Sequence, residues 1–299
     1  MVFPVSGVEA PIWLPPLVTL VLSFFTSMAG VSGAFLLLPF QMSVLGFVSP
    51  GVSPTNMVYN VTGIPGGAYS YLKEGRLVWP LTVAVVIGTV PGVLVGILIR
   101  LTLLSDPAPF KAFAGLVLFY IGTRLFRDSL CKRTESSQLD AETGNWKTEM
   151  LVFNRRELAF RFRGRDYRCS TPGIIALSLL VGVVGGAYGI GGGALVAPIF
   201  VSFYGLPVHA VAGATLTGTF VTSVIGVLVY QVIDMTPAAA GIAVGPDWLL
   251  GLLFGLGGLI GMYWGAKMQK RFPSKWLKLM LAAIVLFVAT RYVTAYFLA

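Results

Sequence analysis

Stretches of apolar residues long enough to enter a membrane recur from one end of the chain to the other, with short polar turns between them. A helix needs about 20 apolar residues to cross a bilayer. The first two stretches of each half are shorter than that, and a glycine-rich break separates them. The pattern predicts the helical segments Leu14–Ala29, Ala34–Phe47, Thr55–Leu72, Leu77–Ile99, Phe110–Phe126, Ile174–Tyr188, Ala194–Tyr204, Ala212–Val232, Leu249–Met268 and Trp276–Phe297.

The two halves of the chain are related in sequence. When the chain is shifted by 159 positions without a gap, Gly30–Tyr71 overlies Gly189–Tyr230, and Pro39 falls on Pro198. Glycine and leucine recur by chance in many membrane proteins, but a gapless register that includes a proline favours a duplication. Two triplets of glycines also correspond, and their spacing of four indicates close helix packing. They are Gly88, Gly92 and Gly96 in the first half and Gly257, Gly261 and Gly265 in the second.

Composition places the chain in a membrane. Hydrophobic residues make up 56% of it and charged residues 11%, whereas soluble domains carry about 25% charged residues. A water-soluble enzyme, a nucleic-acid-binding domain and a disordered chain are therefore excluded. The net charge of +9 does not indicate a polyanionic partner, because no Lys or Arg precedes Lys73 and the cations cluster in a few segments. Such clustering is a topology signal.

The basic clusters predict which segments face the cytoplasm. Residues 128–170 carry nine Lys and Arg, and further cations lie in the turn 73–76 and in residues 267–278. Because positive charge is retained inside, all three belong in the cytoplasm. The loop between Val232 and Leu249 carries only two aspartates and should face outward. That loop and the turn 73–76 occupy equivalent repeat positions, so the repeats are inverted, an architecture typical of transporters.

Inverted repeats constrain the topology of each half. Each half must cross the membrane an odd number of times, so its first two segments either both span or together form a re-entrant hairpin, and both termini lie outside. The sequence thus predicts an all-α polytopic protein of the cytoplasmic (inner) membrane. Its parts are a first membrane repeat at 1–127, a basic cytoplasmic insert at 128–170 and a second membrane repeat at 171–299.

The insert has a pattern of its own. Apolar and polar residues alternate in 147–153 and 157–162 on either side of a turn at Asn154, and 163–165 make a second turn signal. Alternation between turn residues is typical of strands. We therefore expect a small cytoplasmic β-hairpin or meander that acts as a solvated spacer, with Cys131 and Cys169 as free thiols.

Glycines crowd the stretch Gly185–Gly193, and Gly30–Gly33 is its repeat counterpart; a proline follows each. Each glycine costs a helix about 1 kcal/mol relative to alanine, so we expect the helix to break there. A new helix would start near Gly193, with unpaired N–H groups and the positive end of its dipole at the break, which favours anions. The equivalent helix would start near Gly33, and in an inverted repeat the two starts converge near the midplane.

With these motifs the sequence resembles the TauE/SafE sulfite exporter family, also called the toluene-sulfonate uptake permease family. The resemblance lies in the duplicated glycine-rich motif with its proline, the two-half architecture and the chain length, and it leaves out the insert. The second copy of the motif matches well, whereas the first has Ser32 and Ala34 where the second has glycines. The resemblance implies a secondary transporter, expected to export sulfite, organosulfonates or other small sulfur-containing anions by alternating access.

Polar residues at membrane depth are functional candidates by default. Asn56 and Asn60 are four residues apart and share one helix face, and Thr215 and Thr219 hold the same repeat positions. These pairs either donate hydrogen bonds to substrate oxygens or bond neighbouring helices to each other. With the glycine breaks, the predicted substrate-binding residues are Ser32, Gly33, Asn56, Asn60, Tyr188, Gly191, Gly192, Gly193, Thr215 and Thr219.

Other mechanisms lack the residues that they need. No Asp or Glu falls inside a predicted segment, which argues against proton coupling through a buried carboxylate. The chain has one histidine, and both of its cysteines lie in the insert, so residues for a metal site or a catalytic group are lacking. We therefore expect no metal, no cofactor and no enzymatic activity. An anion channel or a non-transporting membrane assembly factor on the same fold is the alternative. The expected partners are the anion and membrane lipid, and no nucleic acid is expected. The sequence leaves open whether the protein forms a homodimer, which anion it carries, in which direction, and whether transport is coupled to protons.

Overall fold

The computed structural model describes residues 1–28, 31–130, 148–236, 243–269 and 274–298, and the chain is largely helical in these ranges. Before the insert the helices are α1 (Leu14–Met28), α2 (Ala34–Ser43), α3 (Val52–Lys73), α4 (Trp79–Thr102) and α5 (Pro107–Leu130). After it they are α6 (Thr171–Tyr188), α7 (Val196–Phe203), α8 (Val208–Asp234), α9 (Trp248–Met268) and α10 (Ser274–Leu298). A 3₁₀ turn at Gly192–Leu195 lies between α6 and α7.

The lengths and composition of these helices are those of a polytopic membrane protein. Among the described residues, five helices are long and apolar enough to cross a bilayer, and α1, α2 and Leu279–Thr294 within α10 are apolar but shorter. The five long stretches are Trp79–Thr102, Pro107–Arg127, Thr171–Tyr188, Ala210–Asp234 and Trp248–Met268.

Several helix ends differ from the sequence prediction. α2 ends at Ser43 rather than Phe47, since the chain turns at Gly46 with a φ of 70°. α4 continues past Ile99 to Thr102, which places Arg100 inside the helix. The hydrophobic pattern of α4 ends where the first charge appears. The backbone hydrogen bonds of the helix continue past that residue.

Glycines allow two pairs of helices to approach closely. The triplet on α4 faces α6, and the triplet on α9 faces α1. A Cβ at any of these six positions would overlap a backbone oxygen of the facing helix. In each pair, successive glycines along one helix meet residues at successively higher positions along the other, so the paired helices are parallel. The prediction that the triplets serve helix packing is confirmed.

Replacing Gly92 with alanine should destabilise the protein, whereas alanine at Gly67 should not. At Gly92 the new Cβ would overlap the Leu179 carbonyl and lie 2.9 Å from the Cα of Gly182, so α4 and α6 must separate at a cost of about 1–3 kcal/mol. At Gly67 the nearest atom is 3.4 Å away, and alanine favours a helix by about 1 kcal/mol. Thermal melting in detergent measures both variants, and equal shifts would contradict the packing role.

The contacts between helices are reciprocal between the two halves. α4 packs on α6 as α9 packs on α1, and α3 packs on α9 as α8 packs on α4. α3 also packs against α8, and α5 against α10. If each of α1–α5 is exchanged with its counterpart in α6–α10, the same set of helix pairs results.

Two groups of loops lie at opposite ends of the helix bundle. Where α3 begins, the N–H of Asp247 donates to Oγ1 of Thr55 at 2.8 Å, and its carboxylate accepts from the Ser6 hydroxyl at 2.8 Å. Where α3 ends, the N–H of Thr148 donates to the Gly75 carbonyl at 3.0 Å. The 22 residues of α3 separate the two groups by about 33 Å. The N-terminal segment therefore shares one end with the 243–247 loop, and the insert shares the other with the turn 73–76.

The insert folds as a three-stranded antiparallel sheet of β1 (Thr148–Phe153), β2 (Glu157–Phe162) and β3 (Arg165–Ser170). The Asn154 side chain organises the first turn, because its Oδ1 accepts the N–H groups of Arg156 and Glu157 at 2.9 and 2.7 Å. Of the predicted hairpin or meander, the structure shows the meander, since β3 pairs with β2. Residues 131–147, which include Cys131, lie outside the described residues.

We expect the Cys169 thiol to react slowly with maleimide at neutral pH. It is a free cysteine in β3, and burial raises its pKa to about 11, so little of the reactive thiolate is present. Its labelling rate should rise about tenfold per pH unit into the alkaline range, following the thiolate fraction. A Cys131→Ser variant leaves Cys169 as the labelled site, and labelling as fast as a model thiol at neutral pH would refute the expectation.

Candidate functional site

The first helix break meets the middle of α3. Gly33 precedes the first residue of α2, which begins at Ala34 near the predicted position. A Cβ at Gly33 would lie 2.6 Å from the Tyr59 hydroxyl oxygen, so only glycine permits this approach. The adjacent Ser32 is fully buried, and its Oγ accepts the N–H of Ala34 at 3.3 Å. Ser32 and Gly33 of this break are therefore packed against α3.

The second break lies at the end of α6. Gly189 ends that helix with a φ of 88°, and Gly191 has a φ of 77°, so both occupy the left-handed region that favours glycine. The new helix begins as the 3₁₀ turn at Gly192 and becomes α-helical at Val196, close to the predicted start. A Cβ at Gly191 would lie 2.8 Å from Oγ of Ser223, so this break is packed against α8.

Asn60 joins the two breaks. Its Oδ1 accepts the hydroxyl of Ser32 from the first break at 2.5 Å. Its Nδ2 donates to the carbonyl of Ile190 in the second break at 2.9 Å and to Oγ of Ser223 at 3.3 Å. One amide side chain on α3 thus holds the tips of both helix breaks and contacts α8.

Asn56 makes a second link of the same kind one helical turn away. Its Nδ2 donates to the carbonyls of Ala34 and Gly189 at 3.1 and 3.0 Å. Its Oδ1 accepts from Nε2 of Gln41 at 3.4 Å. The start of α2 and the end of α6 are therefore tied to the same face of α3.

A third link runs directly between the two broken regions. The Tyr188 hydroxyl, on the last residue of α6, donates to the Phe35 carbonyl in α2 at 3.0 Å. In the second break the N–H of Gly192 donates to Oγ1 of Thr222 at 3.1 Å. The predicted convergence of the two helix starts is thus found in the packing, with side chains from α3, α6 and α8 around it.

Thr215 and Thr219 contribute to the site by packing. The Thr215 hydroxyl donates to carbonyls of its own helix, those of Val211 and Ala212, at 3.2 and 3.1 Å. The Thr219 hydroxyl likewise donates to the Thr215 carbonyl at 2.8 Å. A Cβ at Gly193 would overlap that same carbonyl. The two threonines form the wall against which the second break rests.

The cluster is closed in this conformation. Ser32, Asn56, Asn60 and Thr219 are each 0% exposed. Both hydrogens of the Asn56 amide and both of the Asn60 amide are used by protein acceptors. A ligand that uses these donors must therefore displace the three carbonyl oxygens or the Ser223 hydroxyl that accept their hydrogens.

Sequence reasoning missed a fully buried arginine near the second break. Arg100, in the last turn of α4, donates from Nε to Oγ of Ser53 at 3.2 Å. Ser53 in turn lies against Gly189, whose added Cβ would be 2.6 Å from the Ser53 Cβ. The available signal is that Arg100 directly follows the apolar run Leu77–Ile99, whose helix continues to Thr102. Among the described residues, no group of three or more His, Cys, Asp or Glu side chains is placed to hold a metal ion.

Comparison with known proteins places the chain by family. The family model described as Sulfite exporter TauE/SafE matches residues 16–292. These bounds enclose both helix breaks and every predicted substrate-binding residue. No curated protein and no solved structure matches the chain.

Proposed function

The chain belongs to the TauE/SafE sulfite exporter family, and from this membership and the geometry of the breaks we propose that it is a secondary transporter. It moves small sulfur-containing anions, such as sulfite or organosulfonates, across the cytoplasmic membrane, and its expected direction is export. The observation that carries the proposal is the meeting of two glycine-rich helix breaks, tied to one face of α3 by Asn56 and Asn60.

We propose further that the membrane part consists of two inverted repeats, 1–127 and 171–299, joined by the insert 128–170. The gapless sequence register and the reciprocal helix contacts support this division. In each half the first helix enters, the chain breaks at glycines, and a shorter helix returns. Such discontinuous helices meeting at the repeat interface are typical of secondary transporters.

The charges and the two ends of the bundle support an orientation. The insert and the turn 73–76 share one end and are rich in Lys and Arg, so we place that end in the cytoplasm. The N-terminal segment and the 243–247 loop share the other end, which we place outside together with both termini. α1–α2 and α6–α7 then form re-entrant hairpins from opposite faces.

Alternating access follows from separating the two hairpins in turn. The hydrogen bonds from Asn56 and Asn60 to backbone carbonyls of both breaks hold the closed state. When one repeat rocks against the other, those bonds open on one side and expose amide N–H donors. A sulfur oxyanion offers several acceptor oxygens, and it replaces the lost carbonyl partners.

Flux into proteoliposomes tests the proposed function. Purified protein is reconstituted and supplied with sulfite, thiosulfate, sulfoacetate and sulfate in turn, with protein-free liposomes as the control. We expect saturable flux of one or two of these anions. Flux that rises linearly with concentration would indicate a channel, and no flux from folded protein would favour an assembly factor.

A further inference from the structure

Arg100 is a buried cation whose hydrogen-bonding capacity is not filled. Its side chain is 0% exposed. Nε donates to Ser53, Nη1 donates to the Leu104 carbonyl, and the guanidinium lies 3.7 Å from the centroid of the Phe110 ring. Nη2 is buried and makes no hydrogen bond. One edge of the guanidinium therefore has donors without acceptors.

In the part of the chain that the structure describes, this arginine has no counter-ion. Among the described residues, no carboxylate forms an ion pair with Arg100. Arg76, another fully buried arginine, pairs with Glu74 at 2.9 Å and donates to Oε1 of Gln269 at 3.1 Å. A buried charge inside a membrane protein is costly unless it is paired. Because the described ranges place no acid beside Arg100, we expect its anion to come from outside the chain.

A second buried donor lies beside it. The Tyr230 hydroxyl is fully buried and makes no hydrogen bond. Tyr230 packs in one buried cluster with Val93 and Ile97 of α4, the helix that carries Arg100, and its hydroxyl approaches Ser53. We call Ser53, Arg100 and Tyr230 the arginine cluster. Its three side chains come from α3, α4 and α8, and Ser53 places it directly against Gly189 of the second break.

At the equivalent place in the other half the charge is paired within the chain, because Arg76 forms an ion pair with Glu74 and donates to Gln269. Tyr71 is the repeat counterpart of Tyr230, and the register of the glycine triplets makes Gln269 the counterpart of Arg100. There the Tyr71 hydroxyl donates to Oε1 of Gln269 at 3.1 Å. A tyrosine meets a polar side chain at both places, but only the arginine cluster combines an unpaired charge with an unused hydroxyl.

We propose that the arginine cluster binds the transported oxyanion, with Arg100 supplying the charge and Tyr230 and Ser53 supplying neutral hydrogen bonds. This inference rests on the proposed function, since it names the residues that select an anion beside the helix breaks. The cluster lies at the end of the bundle where α3 begins, so the anion occupies it between the breaks and that end. A guanidinium suits this ligand because its planar fork matches two oxygens of a sulfite or sulfonate group.

A purely structural role for Arg100 predicts a different outcome. The bond to the Leu104 carbonyl and the contact with Phe110 would then only fasten the corner between α4 and α5. Removing the arginine would lower the melting temperature without changing how the protein responds to an anion. The test therefore measures anion binding separately from both stability and flux.

The experiment compares Arg100→Gln, Arg100→Lys and Tyr230→Phe with the wild type, and uses Arg291→Gln, which removes an exposed cation, as the matched control. Melting temperature is measured in detergent with sodium sulfite or sodium methanesulfonate against sodium chloride of equal ionic strength. We expect sulfite or methanesulfonate to stabilise the wild type and the control. We expect Arg100→Gln to lose that shift and to raise the half-saturating concentration for flux by at least about tenfold, as for a buried charge pair.

The outcomes separate this inference from the proposed function. If anions stabilise the wild type but not Arg100→Gln, and the wild type shows no flux, the result supports the cluster and refutes transport. Unchanged half-saturation and anion shift in a less stable Arg100→Gln overturn the cluster and leave transport standing. If Arg100→Gln does not fold, Arg100→Lys and Tyr230→Phe decide, since weaker anion shifts in both support the cluster and unchanged shifts overturn it. No anion-dependent shift in the wild type also overturns it.

Discussion

Gly192→Val should abolish transport while the protein still inserts into the membrane. A Cβ at Gly192 would lie 2.6 Å from the Cβ of Thr89 on α4 and 3.3 Å from the Cα of Gly182 on α6. Valine adds two further methyl groups, so the second break must move away from both helices. Overpacking of this kind costs about 1–3 kcal/mol, and we expect flux to fall at least about a hundredfold, which corresponds to nearly 3 kcal/mol in the barrier.

A swap of side chains provides the control for this prediction. Gly192→Ala alone should reduce flux, because its single Cβ already meets Thr89. Combining it with Thr89→Gly removes that contact, so the double variant should recover part of the lost flux. Expression, elution as a single species and melting temperature report whether each variant is folded. Normal flux by a well-expressed Gly192→Val variant would contradict the role assigned to the break.

Asn60→Asp should slow transport strongly in alkaline buffer and less in acidic buffer. In the native protein the amide Nδ2 donates to the Ile190 carbonyl at 2.9 Å. An ionised carboxylate has no hydrogen to donate, would face that carbonyl and would repel the anion. Leaving such a buried group unsatisfied costs about 1–3 kcal/mol, which corresponds to a fall of roughly 5- to 150-fold in rate.

Protonation provides the test of this mechanism. A protonated aspartic acid carries a hydroxyl that can donate to the Ile190 carbonyl, and burial favours this neutral form. Flux of Asn60→Asp, divided by wild-type flux at the same pH, should therefore rise as the pH falls. Asn60→Ala removes every hydrogen bond of the side chain and should stay low at each pH. A constant ratio for Asn60→Asp would show that the amide does not hold the two breaks in this way.

Local sequence pattern was sufficient for the helices and for the position of the breaks. The start of α2 at Ala34 and the end of α6 at Tyr188 follow from glycines that cannot continue a helix without cost. The alternation around Asn154 predicted β1 and β2 because a strand repeats every two residues. These features depend on residues that are close together in the chain.

The chemistry of the site depends on contacts between distant residues, which no local pattern contains. The spacing of Asn56 and Asn60 places them on one face of α3. It does not show that this face donates hydrogen bonds to carbonyls of the second break. The matching spacing of Thr215 and Thr219 suggested the same chemistry, yet their hydroxyls donate to their own helix. Arg100 was missed because a charge next to an apolar run is most simply explained as the end of a membrane segment.

Counterflow of sulfite tests the central claim most directly, because only a carrier that alternates between two faces exchanges its substrate. Proteoliposomes loaded with unlabelled sulfite are diluted into a trace of labelled sulfite. The account predicts that label accumulates inside transiently above its final level in the wild type and not in Gly192→Val. Label that only rises to its equilibrium level in the wild type, with no overshoot, would contradict alternating access around the two breaks.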